Sequence, residues 1–213
     1  MNVLILDYFL KMRRSTWKPL LILTLLGMLI GVFASSQTSI YIFIVVLITA
    51  TPILFFSLFF SDENANWNRY ELLLPIAMEK ILLAKYIVSI ICTMVTLLLL
   101  FAFILVTLIF HALKYFDLGY RDIFSIFSLA LAYCLTIYSL SFFAMYNPLK
   151  LNSVFSFAIC TICSYVLLLC EIIYMNSNNI TLEKGSILII LLSALLFIVS
   201  YIFSLMLYKK REI

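Results

Sequence analysis

The residues of this chain that could do chemistry are few and dispersed. Cys160 and Cys163 form a C-x-x-C, the spacing of a redox pair or of half a zinc site. No second cysteine pair stands near it, and the one histidine of the chain, His111, is far away in sequence. Cys92, Cys134 and Cys170 also lie inside apolar runs, so all five cysteines read as small hydrophobes on helices. Glu171 sits within an apolar run, where a carboxylate is costly unless it is paired, hydrated or protonated. It reads either as a pathway or gate residue, able to meet a cationic group, or as an interfacial residue near Tyr174. No G-x-x-x-x-G-K-[ST], H-E-x-x-H or G-x-S-x-G occurs, so P-loop, zinc-protease and serine-hydrolase chemistry have no place to start. No catalytic constellation assembles, and the chain reads as a non-enzyme that binds no cofactor or metal of its own.

What must position these residues is a membrane domain. The chain has 213 residues, 66% of them hydrophobic and 11% charged. One soluble core of that size cannot hide so much apolar surface, and much of it must face lipid. The basic residues of the N-terminus follow a short apolar run, the reverse of the order in a cleavable leader, and no leader is expected. Six runs suit helices crossing a hydrocarbon core of about 30 Å, which takes roughly 20 residues each. They cover residues 19–36, 39–60, 86–110, 123–146, 154–175 and 187–207. The expected fold is therefore all-α and integral to the membrane, one transmembrane domain over residues 1–213.

Charge sets the orientation. Of the 14 Lys and Arg, Lys114, Arg121 and Lys184 fall on the side opposite the N-terminus, and all the others on its own side. The positive-inside rule then makes both termini cytoplasmic. Residues 3–17 read as an interfacial helix, since Asp7, Lys11, Arg14 and Lys18 form one polar stripe at helical spacing. The halves of the chain show no internal repeat, which disfavours a secondary transporter.

Between the second and third runs lies SDENANWNRYELLLPIAMEK, Ser61 to Lys80, which this orientation makes cytoplasmic. Ser61 or Asp62 suits a helix cap, and Asp62 and Glu63 suit a helix N-terminus. Trp67, Tyr70, Leu73 and Leu74 form an apolar-aromatic stripe, and Glu71 lies off it. Pro75 breaks the helix at Leu74 and opens the next one. Such a face must be buried, either at the membrane interface or in a groove of a partner protein. The acidic cluster Asp62, Glu63, Glu71 and Glu79 repels an anionic leaflet and favours the protein partner.

Two further features bear on packing. Gly27-x-x-x-Gly31, continued by Ala34, is a small-residue stripe that allows close helix approach, between two chains or within one. Pro52 withdraws one N–H from the second run and should kink it, shaping a pathway or only the packing.

The pattern E-x-x-x-W-x-x-Y-x-x-x-L-P-I…K-I-x-x-x-K-Y is carried here by Glu63, Trp67, Tyr70, Leu74, Pro75, Ile76, Lys80, Ile81, Lys85 and Tyr86. It resembles the small six-span permeases of type-2 ATP-binding-cassette exporters of Gram-positive bacteria, such as the permease subunits of phenol-soluble-modulin and antimicrobial-peptide exporters. The resemblance implies that residues 62–79 are a coupling helix docking an ABC ATPase through Glu63, Trp67, Tyr70, Glu71, Leu74 and Pro75. It implies ATP and Mg on that partner, a second permease chain (identical or a sibling), and a place in the bacterial cytoplasmic membrane. It implies export, with hydrophobic or amphipathic peptides or similar toxic compounds as cargo and no role for nucleic acid. Residues 169–185 correspond to a region that is re-entrant in such permeases. Two other readings compete: a membrane immunity or sensor protein that binds a toxin without an ATPase, and a lipid-modifying enzyme. The second of these lacks a polar cluster at either membrane face.

Overall fold

The computed structural model describes residues 6–8, 10–11, 16–33, 37–64, 77–111, 120–146, 153–177 and 182–209, nearly all of them helical. We label the long helices α1 (Trp17–Phe33), α2 (Gln37–Asn64), α3 (Met78–His111), α4 (Tyr120–Tyr146), α5 (Ser153–Ser177) and α6 (Leu182–Lys209). Residues 6–8 and 10–11 are also helical. Three stretches are long and apolar enough to cross a bilayer: Glu79–Phe110, Asp122–Tyr146 and Lys184–Leu207. Lys18–Ile30, Ser39–Phe55 and Ala158–Leu167 are shorter apolar stretches. Leucine, isoleucine and phenylalanine side chains are exposed along every helix, among them Leu25 on α1, Ile42 on α2, Leu98 on α3 and Leu191 on α6. Water cannot accommodate such a surface at this density, and the protein is embedded in a membrane.

Helix α4 is the centre of one half of the bundle and makes its most extensive contact with α6 and the next with α5. Helix α3 is the centre of the other half and packs on α1 and α2. The halves join where α3 meets α4 and α6 and where α2 meets α4. One buried cluster, which includes Tyr8, Leu20, Phe55, Leu82, Tyr86, Phe142 and Tyr146, binds the end of the bundle at which α3 begins. A second, built from Ile40, Phe43, Ile44, Leu47, Leu100, Phe103 and Ile104, fills the space between α2 and α3 toward the other end.

Polar groups inside the bundle mostly serve their own helix. Thr51, Thr93, Thr96, Thr107, Thr136 and Ser164 each donate a hydroxyl to a carbonyl four residues back. A hydroxyl so placed is satisfied without needing water, which lets it lie at membrane depth. Near the N-terminus, Asp7 and Lys11 pair at 2.9 Å on one helical face, and the Lys11 ammonium lies 5.4 Å from the centre of the Tyr8 ring. Tyr8 itself is buried, while Leu6 and Leu10 face outward.

One boundary differs from the sequence reading. Helix α2 continues to Asn64, so Ser61 and Asp62 lie in its last turn rather than capping a separate helix. With no Gly or Pro between Ser57 and Asn64, each residue added extends the helix by one hydrogen bond at little cost. Helix α3 begins at Met78, close behind Pro75, and runs unbroken into the third apolar run, since Glu79, Lys80 and Lys85 end the hydrophobic run but not the backbone ladder. Pro52 lies buried inside α2, and the helix runs through it. The Ile48 carbonyl loses its partner there because proline carries no N–H.

Candidate functional site

The segment singled out by its aromatics, residues 65–76, lies outside the described residues, and with it Trp67, Tyr70, Glu71, Leu74 and Pro75. Glu63 is placed by its backbone alone, in the last turn of α2. What the structure does describe is the far side of that segment, where the chain turns into the bundle. The Lys80 N–H donates to the Ala77 carbonyl at 2.9 Å, closing the first turn of α3. Glu79 stands in that turn, where a carboxylate meets the exposed N–H groups of the helix start. One turn later solvent is gone: Ile81, Leu82, Ala84, Lys85, Tyr86, Val88 and Ser89 are all buried. The helix leaving the segment therefore enters the densest part of the bundle directly.

Tyr86 fixes it there. Its hydroxyl lies 2.9 Å from Ser200 Oγ and 3.2 Å from Ser204 Oγ, both on α6. Ser200 donates onward to the Ser139 carbonyl of α4 at 2.6 Å. Because that uses the one Ser200 proton, Tyr86 donates to Ser200 and accepts from Ser204, and three helices share one polar chain. The ring is held as tightly as the hydroxyl. It stacks on Phe142 with centroids 4.5 Å apart and meets Phe197 and Tyr201 edge-on at 5.0 and 5.1 Å. Aromatic pairs at these separations add to the area they bury.

Lys85, the neighbouring residue, is fully buried, at 0% exposure. Its ammonium lies 5.9 Å from the centre of the Tyr146 ring at the end of α4, and both side chains are engaged with further neighbours. A lysine at such a depth persists only when its charge is compensated, and a tyrosine face supplies part of that. Sequence reading placed Lys85 on the N-terminal side of the membrane and made no statement of its burial. Nor did it single out Ser139, Ser200 or Ser204. A signal was present: Ser186, Ser193, Ser200 and Ser204 recur at intervals of seven and four on α6, and all four are buried, one stripe facing the bundle.

A second feature lies toward the other end. A groove of about 280 Å³ opens between α2, α4 and α5, lined by Tyr41, Ile48, Thr49, Leu129, Tyr133 and Tyr165 among others. The Tyr133 and Tyr165 rings meet there at 4.9 Å. The walls are almost wholly apolar, so the groove can hold a stretch of hydrocarbon or a large apolar side chain and can do no bond chemistry. Its volume falls below the roughly 300 Å³ at which small-molecule pockets begin. Of the residues sequence reading assigned to a pathway, Pro52 lies on α2 one turn from groove residues Ile48 and Thr49. Glu171 belongs to α5 by its backbone, and its side chain is outside the described residues.

Gly27 meets a neighbour within its own chain. A Cβ built there would come within 2.6 Å of Phe43 Cζ on α2. The backbone of Gly31 continues α1, and Ala34 lies outside the described residues. Cys160 is buried and Cys163 exposed, both free thiols on α5. No group of three His, Cys, Asp or Glu side chains that could hold a metal is found among the described residues.

Taken together, the described residues make a helical membrane bundle with a packed polar seam, an apolar groove and no catalytic group. Comparison with known proteins agrees. The family model described as ABC-2 family transporter protein matches residues 3–209, nearly the whole chain. No curated protein and no solved structure matches it. The chain therefore belongs to the ABC-2 transporter family, as a permease subunit of an ATP-binding-cassette transporter, a family that partners an ABC ATPase.

Proposed function

We propose that this chain is the permease subunit of an ABC exporter in a bacterial cytoplasmic membrane. It crosses the membrane six times, with both termini cytoplasmic and residues 3–17 lying in the inner interface as a short helix. Residues 62–79 are the coupling segment, and Glu63, Trp67, Tyr70, Glu71, Leu74 and Pro75 dock into a cleft of the ATPase. ATP and Mg bind to that ATPase, whose closure pushes on the coupling segment. Two permease chains enclose the pathway, with part of the Gly27–Gly31–Ala34 face available to the seam between them. The cargo is a hydrophobic or amphipathic peptide or a comparable toxic compound, and Pro52 and Glu171 shape and gate its route.

The observation that carries the reading is the family match over residues 3–209, which spans the coupling segment and every helix. The local structure supports it. The segment carrying Trp67 and Tyr70 leads into α3, whose early turns bury Ile81, Leu82, Ala84, Lys85, Tyr86, Val88 and Ser89 in the bundle, so a push on the segment has a firmly packed member to act on. The groove between α2, α4 and α5 supports the cargo class, since an apolar wall at membrane depth suits apolar matter. A toxin-binding immunity or sensor protein with no ATPase is not favoured by membership of a transporter family.

The test is a double substitution, Trp67→Ala with Tyr70→Ala, in the chain co-expressed with its ATPase. Aromatic anchors at the centre of an interface typically cost about 2 kcal/mol or more each when truncated. Co-purification of the ATPase should fall at least tenfold, with loss of any permease-dependent change in ATP turnover. Unchanged capture and unchanged turnover would count decisively against the docking role.

A further inference from the structure

We infer that Tyr86 is the joint through which movement of the coupling segment reaches the half of the bundle built from α4 and α6. The inference rests on the permease reading and adds a positioning residue to it. Three observations meet at this residue. First, Lys80, at the exposed start of α3, precedes Tyr86 by six residues, or about 9 Å of helix axis. Motion imposed at residues 62–79 therefore arrives at Tyr86 through less than two turns of unbroken helix. Secondly, α3 touches α6 over a much smaller area than α4 does. The two Tyr86–serine hydrogen bonds lie on that small contact. A narrow contact fastened by directional bonds transmits a pull, whereas a narrow apolar contact would slip. Thirdly, Ser200 hands the connection to the α4 backbone at Ser139, so α4 and α6 are held as one body by the same hydroxyl chain.

The surroundings fit a joint rather than a passive filler. The ring rests on Phe142 of α4 and on Phe197 and Tyr201 of α6, so it cannot swing away when α3 is pushed. Ser89, one turn along α3, donates back to the Tyr86 carbonyl at 2.7 Å, stiffening the helix at the point where load is transferred. Other buried hydroxyls of α3, those of Thr93, Thr96 and Thr107, bond within their own helix. Thr96 also meets Cys134 of α4, and Tyr86 differs from all three in bonding to α6.

The test measures whether α3 and α6 move together. Spin labels are attached at Lys80→Cys and Met206→Cys, two exposed positions near the joined ends, in a chain whose five cysteines are replaced by alanine. Distances are read by pulsed electron resonance in nanodiscs. The chain is measured alone, and then with its ATPase in nucleotide-free and vanadate-trapped states. With Tyr86 present, a single narrow distribution is expected, unchanged by trapping. Tyr86→Phe keeps the ring and removes the hydroxyl. It is expected to broaden the distribution in the chain alone and to add a second population on trapping. In the chain that keeps Tyr86, Ser200→Thr with Ser204→Thr, which keeps both partner hydroxyls, is expected to retain the narrow distribution. A Tyr86→Phe distribution identical to that of the parent overturns the inference, and so does a parent distance that shifts on trapping. Should Tyr86→Phe fail to accumulate, Ser200→Ala with Ser204→Ala removes both partners of the Tyr86 hydroxyl, and a parent-like distribution in that variant is equally decisive. Failure of the ATPase to co-purify with the parent chain would overturn the permease reading, and the measurement on the chain alone still decides the joint.

Discussion

The contact between Gly27 and Phe43 gives a stability prediction whose size follows from geometry. A methyl group at Gly27 would stand 2.6 Å from Phe43 Cζ. Carbon atoms rest at about 3.5 Å or more, so the ring must retreat by roughly 1 Å. It has no room to do so. Phe43 is buried, its ring meets Phe103 at 4.9 Å, and Leu47, Leu100 and Ile104 share its cluster. Helix α1 must then move off α2, or the ring must leave its rotamer. Overpacking of this kind costs about 1–3 kcal/mol. Replacing Gly by Ala also gains up to ~1 kcal/mol of helix propensity, which offsets part of the loss. The net expectation for Gly27→Ala is a loss of about 1–2 kcal/mol, rising with side-chain size through Gly27→Val and Gly27→Leu. The assay is reversible unfolding in mixed micelles, followed by circular dichroism. Phe43→Leu should rescue Gly27→Ala by at least half of the loss, because the clashing ring carbons are gone. A stability for Gly27→Ala at or above that of the parent, or a double variant no better than the sum of its singles, would refute the reasoning. Either result would mean that α1 and α2 do not pack at the distance shown.

Hydroxyl removal should have opposite effects at two buried tyrosines. Tyr86→Phe breaks two interhelical bonds and should cost about 0.6–1.7 kcal/mol in the same unfolding assay, non-additively with Ser200→Ala. The Tyr138 hydroxyl is buried with no hydrogen-bond partner, so Tyr138→Phe should be neutral or stabilising by up to about 1–3 kcal/mol. Lys85→Met keeps the length of the side chain and removes the buried charge. It should leave folding intact, whereas Lys85→Glu should abolish accumulation in the membrane.

The helices were legible because uninterrupted apolar runs leave the backbone no other way to satisfy itself in lipid. Their ends were less so, for a reason visible at α3. Hydropathy registers Glu79, Lys80 and Lys85 as the edge of a span, but a helix is bounded by hydrogen bonds, and these continue back to Met78. The burial of Lys85 was not legible for a related reason. A lysine near a span end reads as solvent-facing until another segment covers it, and its cover, Tyr146, stands sixty-one residues further along. The Tyr86 bonds join residues 114 and 118 apart, which no local spacing encodes. The serine stripe of α6 did encode which face turns inward, though not what it would meet. Trp67 and Tyr70 drew attention by being aromatic and amphipathic on a charged segment, a pattern that needs only nearest neighbours in sequence to be seen.

The bundle is asymmetric along its axis, and the asymmetry bears on how it would work. At the end where α3 begins, contacts are directional: Tyr86 with Ser200 and Ser204, Ser200 with Ser139, Lys85 over Tyr146. Toward the other end the α2–α4–α5 groove is walled by side chains that offer almost nothing but dispersion. Hydrogen bonds hold a register and fail abruptly, whereas apolar surfaces in lipid slide at little cost, because lipid tails replace the contacts that are lost. In the proposed orientation the fastened end is cytoplasmic, beside the coupling segment, and the sliding end is outward. A push from the ATPase would then move the fastened end as a unit and appear as rearrangement where α2, α4 and α5 are free to part. An exporter needs that division: stiffness where ATP energy enters, and compliance where an apolar cargo must leave. Locking the groove should therefore stop transport without stopping ATP binding. A bifunctional maleimide bridging Thr49→Cys and Leu169→Cys, which line it from α2 and α5, would do so, and export unaffected by that cross-link would place the compliant region elsewhere.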